Sequence, residues 1–189
     1  MTYQEAIEKL TDKTIPITEV QHMYEYFRNN HEIQSAIVMH LGKRVSTNLN
    51  KQGENVTIAQ LLEDLADSTE MSVRWAVAKN PLTPTSILKK LSTDRVNLVR
   101  ALVATNPNTP KDILQKLFND EKIVRDGLSG NPSTPLKYLA ILADDSDNMV
   151  RLRVVENPST TEVILQKMFN DSASNVRQAV HSKLKRSGI

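Results

Sequence analysis

Two short motifs return along this chain at nearly one interval, and that interval constrains the fold more than any total does. Val-Arg stands at Val73-Arg74, Val99-Arg100, Val124-Arg125, Val150-Arg151 and Val176-Arg177, in steps of 26, 25, 26 and 26. Asn-Pro stands at Asn80-Pro81, Asn106-Pro107, Asn131-Pro132 and Asn157-Pro158, in steps of 26, 25 and 26. A unit this short cannot bury its apolar face alone, so the period predicts stacked supersecondary units rather than one irregular core. Only eight residues are aromatic, which suits thin aliphatic layers.

Each unit reads as two short helices. The first runs from Val-Arg to just before Asn-Pro and turns two aliphatic positions inward, such as Val99 and Val103. Asn tolerates the left-handed region, and the Pro behind it disfavours helix, so the pair predicts a stop. Thr83-Pro84, Thr109-Pro110 and Thr134-Pro135 predict a Thr N-cap with Pro at the first helical position; Thr160 keeps the cap in the fourth unit. Asp112, three residues after Thr109, completes a passable capping box. The second helix buries Ile87, Leu88 and Leu91 and their equivalents. Two-turn helices are marginal alone, so neighbouring units must stabilise one another.

The repeat enters halfway through a unit, because Leu61, Leu62 and Leu65 lie 26 residues before Ile87, Leu88 and Leu91. Residues 1–45 predict a helical cap over the open end of the stack. In it Thr18 is the expected N-cap of a second helix, and Gly42 the αL stop of a third. Residues 46–55 are nearly devoid of apolar side chains and predict a linker loop. The repeats fill 56–181, and 182–189 reads as a frayed basic tail.

A unit of the form V-R-x-x-V-A-x-N-P-x-T-P-x-x-x-L-x-x-L resembles the leucine-rich repeat variant family, and more loosely HEAT-like α-solenoids. The match covers residues 57–181. The resemblance implies an all-α fold: a curved, right-handed solenoid in which an α-helix pairs with a short 3₁₀-like helix in each unit. The family's best-known member carries an iron–sulfur cluster on cysteines. This chain has none, so the resemblance carries no cofactor.

Composition narrows the function classes. There is no apolar run long enough for a membrane span, and the acidic start MTYQEAIEKL is unlike a signal peptide, so a cytoplasmic protein without membrane contact is expected. The formal charge is +2. It divides unevenly: six bases against eleven acids in 1–70, and ten bases against five acids in 71–130. No nucleophile motif, Gly-rich phosphate loop or His pair at metal-ligand spacing occurs, so the chain is expected not to be an enzyme and to hold no metal.

The candidate site residues are columns. Arg74, Arg100, Arg125, Arg151 and Arg177 form the most regular one. Asp94, Asp145 and Asp171 lie six residues before an Arg, and Asp120 five before Arg125, so an Asp/Arg ladder holding units together is the expected role. Anion binding is the alternative. Lys90, Lys116 and Lys167 share a second-helix column that Ile141 interrupts, with Lys89 and Arg95 nearby. Trp75 is the only Trp, and its column and the next, which holds Arg153, change type in every unit. Together these are the candidate partner contacts; a solvated helix face for the lysines and packing of Trp75 on the N-terminal cap are the structural expectations beside them. Varied residues on a uniform frame predict a scaffold that binds another protein. The alternatives are a nucleic-acid-binding superhelix, resembling the HEAT-like alkylpurine DNA glycosylases, or a viral or mobile-element protein that blocks a host complex.

Overall fold

The computed structural model describes residues 1–44 and 52–186, with backbone alone for 52–56. Thirteen helices and no strand occur among the described residues. Three precede the repeats: α1 (Tyr3–Lys9), α2 (Ile17–Tyr26) and α3 (His31–Arg44). Then come α4 (Gln52–Ala66), the alternating first helices α5 (Met71–Lys79), α7 (Asn97–Thr105), α9 (Lys122–Gly130) and α11 (Asn148–Glu156), and their second helices α6 (Thr85–Leu91), α8 (Lys111–Leu117), α10 (Leu136–Leu142) and α12 (Glu162–Lys167). The last is α13 (Ser174–Arg186). The chain forms two compact units, Met1–Val99 and Arg100–Ile189.

Inside each unit the repeat is visible as packing. In the second, α9 packs on α11 and α11 on α13. In the first, α3 packs on α5 and α4 on both α5 and α6. Thus α3 supplies the first helix that the sequence pattern lacks in the opening repeat. Val73, Val99, Val124, Val150 and Val176 are wholly buried, as are Leu88, Leu114 and Leu139.

Several local expectations are corrected. Gly42 does not stop α3, which continues through it to Arg44. Burial of Leu41 and Arg44, with Arg44 Nη1 donating to Ile15 O at 2.7 Å, outweighs the penalty of about 1 kcal/mol for a mid-helix Gly. Pro16, not Thr18, stands at the N-cap of α2. Of the expected linker, 46–51 lies outside the described residues, while 52–55 is the first turn of α4. The tail is not frayed from Ser182: α13 runs to Arg186 and buries Leu184. Both helices of each repeat are α-helical. Three-residue hydrogen bonds appear at helix ends, as in Ile87 N–H to Pro84 O and Asp94 N–H to Leu91 O, and in the turns between paired helices, as in Thr83 N–H to Asn80 O.

The Thr of Thr-Pro does not cap the helix that follows. Its hydroxyl turns back and donates to the helix before: Thr83 to Val77 O, Thr109 to Val103 O, Thr134 to Leu128 O and Thr160 to Val154 O. Those carbonyls belong to the last turn of the first helix, where the residue four on is a Pro without an N–H and only the Asn at the helix end donates from the backbone. The second helices start with Pro84, Pro110 and Pro135 at the N-cap and no side-chain cap; Asp112 is exposed and makes no capping box.

The Asn before Pro is likewise not left-handed. Asn80, Asn131 and Asn157 have φ near −67°, −75° and −59° with ψ of 127°, 122° and 128°. The following Pro sets this extended conformation. It directs the side-chain amide at its own turn and at the preceding repeat. Oδ1 of Asn80, Asn106, Asn131 and Asn157 accepts the N–H two residues on. Nδ2 reaches the previous repeat: Asn131 donates to Ala104 O and Asn106 O at 2.6 and 2.9 Å, and Asn157 to Ser129 O and Asn131 O at 2.7 and 2.9 Å. Asn80 Nδ2 donates in the same way to Val38 O of α3, at 2.9 Å. Lys183, 26 residues after Asn157, takes over the position with Nζ on Val155 O and Asn157 O.

Candidate functional site

The Arg column engages carboxylates twenty residues ahead. Arg74 Nε and Nη2 donate to the two oxygens of Asp94 at 2.6 and 3.1 Å. The same fork joins Arg100 to Asp120, Arg125 to Asp145 and Arg151 to Asp171, with Nε–Oδ2 distances of 2.7 Å. Nη1 turns the other way, onto carbonyls five and six residues back: Ser68 and Thr69 for Arg74, Asp145 and Ser146 for Arg151, Asp171 and Ser172 for Arg177. Asp94, Asp145 and Asp171 also end a turn by accepting the N–H two residues on, from Val96, Asp147 and Ala173. The repeat that is one residue short loses that residue here. Asp120 accepts from Glu121, its immediate neighbour, and Arg125 Nη1 reaches only Asp120 O.

These bonds set the charge states. The forks from Arg100 and Arg151, with the turn N–H groups, hold Asp120 and Asp171 below the ordinary carboxylate pKa despite burial. At Asp94 and Asp145 burial is the largest influence and pushes upward. The guanidinium fork, the turn N–H and the Arg charge together outweigh it, so both pKa values also fall.

The Lys column is partly engaged. Lys90 pairs with Asp67 at 2.6 Å, and Lys167 with Asp144 and with Ala140 O. Lys89 and Lys116 are exposed, and so is Arg95. Arg153 is exposed between Asp126 at 3.9 Å and Glu156 at 3.2 Å. The column before it is not wholly outward: Trp75 is half-buried, Ala101 is buried, and so are Ala76 and Gly127 of the Arg153 column. First helices approach so closely there that a Cβ on Gly127 would lie 2.7 Å from Ala101 O.

Two grooves carry side chains that the sequence did not assemble. In the second unit, a cavity of about 550 Å³ is lined by Phe118, Ala140, Ile141 and Leu142, with Asp144, Lys167 and the Arg125–Asp145 pair at its polar side. Ile141 is 55% exposed there. Its signal was the break in the Lys column. In the first unit, a cavity of about 310 Å³ between α3 and α5 gathers Met39, Gly42, Lys43, Trp75, Ala76 and Lys79. A third, of about 390 Å³, brings Lys90 and Arg95 beside Arg74 and Asp94. Among the described residues no group of three His, Asp or Glu is placed to hold a metal ion, and no helix is long and apolar enough to cross a membrane.

Two alternating short helices, packed repeat on repeat and pinned by side chains at a fixed register, define an all-α repeat protein. The chain is similar in structure to a solved protein described as a leucine-rich repeat variant with a novel repetitive protein structural motif. The two share 19% identity over 94% of this chain and 80% of that one, with a TM-score of 0.51, a likeness of fold. No family model and no curated protein matches the sequence.

Proposed function

We propose that the chain is a non-catalytic scaffold that binds another protein, with the Ile141 groove as a principal contact. The observation that carries this reading is the contrast between cations and apolar groups on the same repeats. The regular guanidiniums are engaged by carboxylates and turn carbonyls, which leaves them poorly placed to meet phosphates. Large apolar side chains stand in solvent instead: Ile123, Ile141, Met149, Phe169 and, at 80% exposure, Val163. An apolar floor with a charged rim is the anatomy of a protein interface. The same contrast weighs against a phosphate-tracking superhelix, which needs a run of available Lys and Arg.

Ile141→Lys tests the reading, because it restores the residue type of Lys90, Lys116 and Lys167. An exposed exchange of this kind shifts stability by no more than about 0.5 kcal/mol. Capture of a defined protein from native lysate, kept after nuclease treatment, is expected to fall at least about tenfold in the variant, as for loss of an interface anchor. Capture of nucleic acid alone, weakening steeply with salt, would overturn the scaffold reading.

A further inference from the structure

Four guanidiniums of the Arg column give Nε and Nη2 to an Asp twenty residues ahead; the fifth, Arg177, does not. Its Nη1 donates to Asp171 O at 2.6 Å and Ser172 O at 2.9 Å, while Nε and Nη2 meet no acceptor among the described residues. The nearby carboxylate, Asp171, is taken: its oxygens hold the fork of Arg151 and the N–H of Ala173. The carbonyls that anchor Arg177 are those that Arg74 and Arg151 use, five and six residues back. The guanidinium is therefore held as theirs are, with its two outer donors unmet.

The apolar surroundings repeat as well. Phe118-Asn119-Asp120 before Arg125 return as Phe169-Asn170-Asp171 before Arg177. In the earlier copy α10 covers this face: the Phe118 ring meets Tyr138 at 4.8 Å, Leu142 is buried, and Asp145 fills the Arg125 fork. In the later copy no second helix follows α13 among the described residues. Lys183-Leu184 stands where the 26-residue step puts Asn-Pro, so no Pro stops α13 and it runs on to Arg186. Phe169 is left 40% exposed, stacked on His181 at 4.3 Å. One device fills the forks of Arg74, Arg100 and Arg125. An aliphatic side chain is buried at the end of a second helix, and the Asp three residues later bonds its N–H to that residue's carbonyl: Leu91 and Asp94, Leu117 and Asp120, Leu142 and Asp145.

We propose that the face formed by Phe169 and Arg177 takes the C-terminal end of a helix from a partner protein, one with an aliphatic residue three positions before an Asp. The carboxylate sits on Nε and Nη2 of Arg177, and the aliphatic side chain lies beside Phe169, as Leu142 and Phe118 line one cavity. The proposal rests on the scaffold reading and adds to the Ile141 groove a second contact, which continues the interface between repeats. A guanidinium fork on a carboxylate is charge-assisted and bidentate, so it fixes orientation as well as affinity. The two carbonyl bonds hold the fork beforehand, so little freedom is lost on binding.

The Nε–H resonance of Arg177, assigned by its loss in Arg177→Gln, reports occupancy of the fork directly. A displayed library of random peptides is selected on the full chain, and enriched peptides are titrated while that resonance is followed. The expected peptides carry Leu, Ile or Met three positions before Asp and shift it saturably. Exchange of that Asp for Asn in the peptide is expected to raise Kd at least about tenfold on the unaltered chain, a comparison that no folding defect can disturb. Arg177→Gln is expected to weaken the original peptide as much, with its circular dichroism unchanged. Failure to enrich any peptide overturns the proposal, as do enriched peptides without a carboxylate, an Asn peptide of equal affinity, or an Arg177 resonance that does not move. Equal saturable shifts with acetate, phosphate or oligothymidylate overturn it in favour of a simple anion site. If Arg177→Gln captures its protein partner at full strength while Ile141→Lys does not, the terminal-face proposal fails and the scaffold reading stands.

Discussion

A primary amide has two donors and one acceptor on one planar group, and the repeated Asn uses both kinds at once. In Asn157 the oxygen closes the turn onto Ser159 N–H at 2.8 Å, while the nitrogen bridges two carbonyls of the preceding repeat. The residue is buried, so each lost partner leaves a desolvated group costing about 1–3 kcal/mol. Asn157→Asp preserves the shape and the acceptor but turns a carboxylate oxygen toward two carbonyls. It is expected to destabilise the chain more than Asn157→Ala does at neutral pH, by at least about 3 kcal/mol relative to wild type, since the buried charge adds to the lost bonds. Urea unfolding of the two variants checks the order, and an Asp variant as stable as the Ala variant would refute it. Lys183 shows that the position demands a donor rather than an amide, although burial lowers the ammonium's pKa below its ordinary value.

At the scale of elements, Gly127 sets how closely α9 approaches α7. A Cβ there would lie 2.7 Å from Ala101 O and 3.0 Å from Thr105 Cγ2, and the first of these is backbone. Gly127→Ala gains about 1 kcal/mol of helix propensity, but overpacking of this kind costs about 1–3 kcal/mol. A net fall in melting temperature is expected, and a rise would mean that the helices separate freely. The column was legible in the sequence as variable, and variability suggested an outward face. The close approach behind Gly127 was not legible, because it depends on interaxial distance. The same limit applies to caps. The Asn-Pro and Thr-Pro pairs located the turn between the two helices of a repeat, yet the targets of the Thr hydroxyl and the Asn amide lie across space. The Asp/Arg columns were readable as partners, but a spacing of six along the chain gave no sign that each fork reaches twenty residues ahead. Nor could pattern matching reveal that α3, with Val38 O in the acceptor position and no Val-Arg motif, stands in for the missing first helix.

Over the whole molecule, charge pairing is distributed rather than local, and this makes stability depend on acid in two windows. The first belongs to His40, wholly inside the cap with Nδ1 bonded to Leu10 O at 3.1 Å. Burial is the largest influence on its pKa and lowers it, with Arg44 and Lys43 adding repulsion. The unfolded chain therefore binds a proton that the folded one refuses. Stability is unaffected above the ordinary His pKa of about 6.5 and declines as pH falls below it, until the folded-state value is passed. The second window belongs to Asp94, Asp120, Asp145 and Asp171, whose pKa values are depressed in the fold. Their contribution is fully present above the ordinary Asp pKa of about 3.9 and disappears as pH falls through the depressed values. Melting temperature against pH is expected to show a shallow step below about 6.5 and a steeper loss below about 4, the steeper because four carboxylates act together. His40→Gln is expected to remove the upper step and leave the lower one. A lower step that vanishes with the His, or that persists when all four Asp are replaced by Asn, would show that these carboxylates do not carry the acid sensitivity.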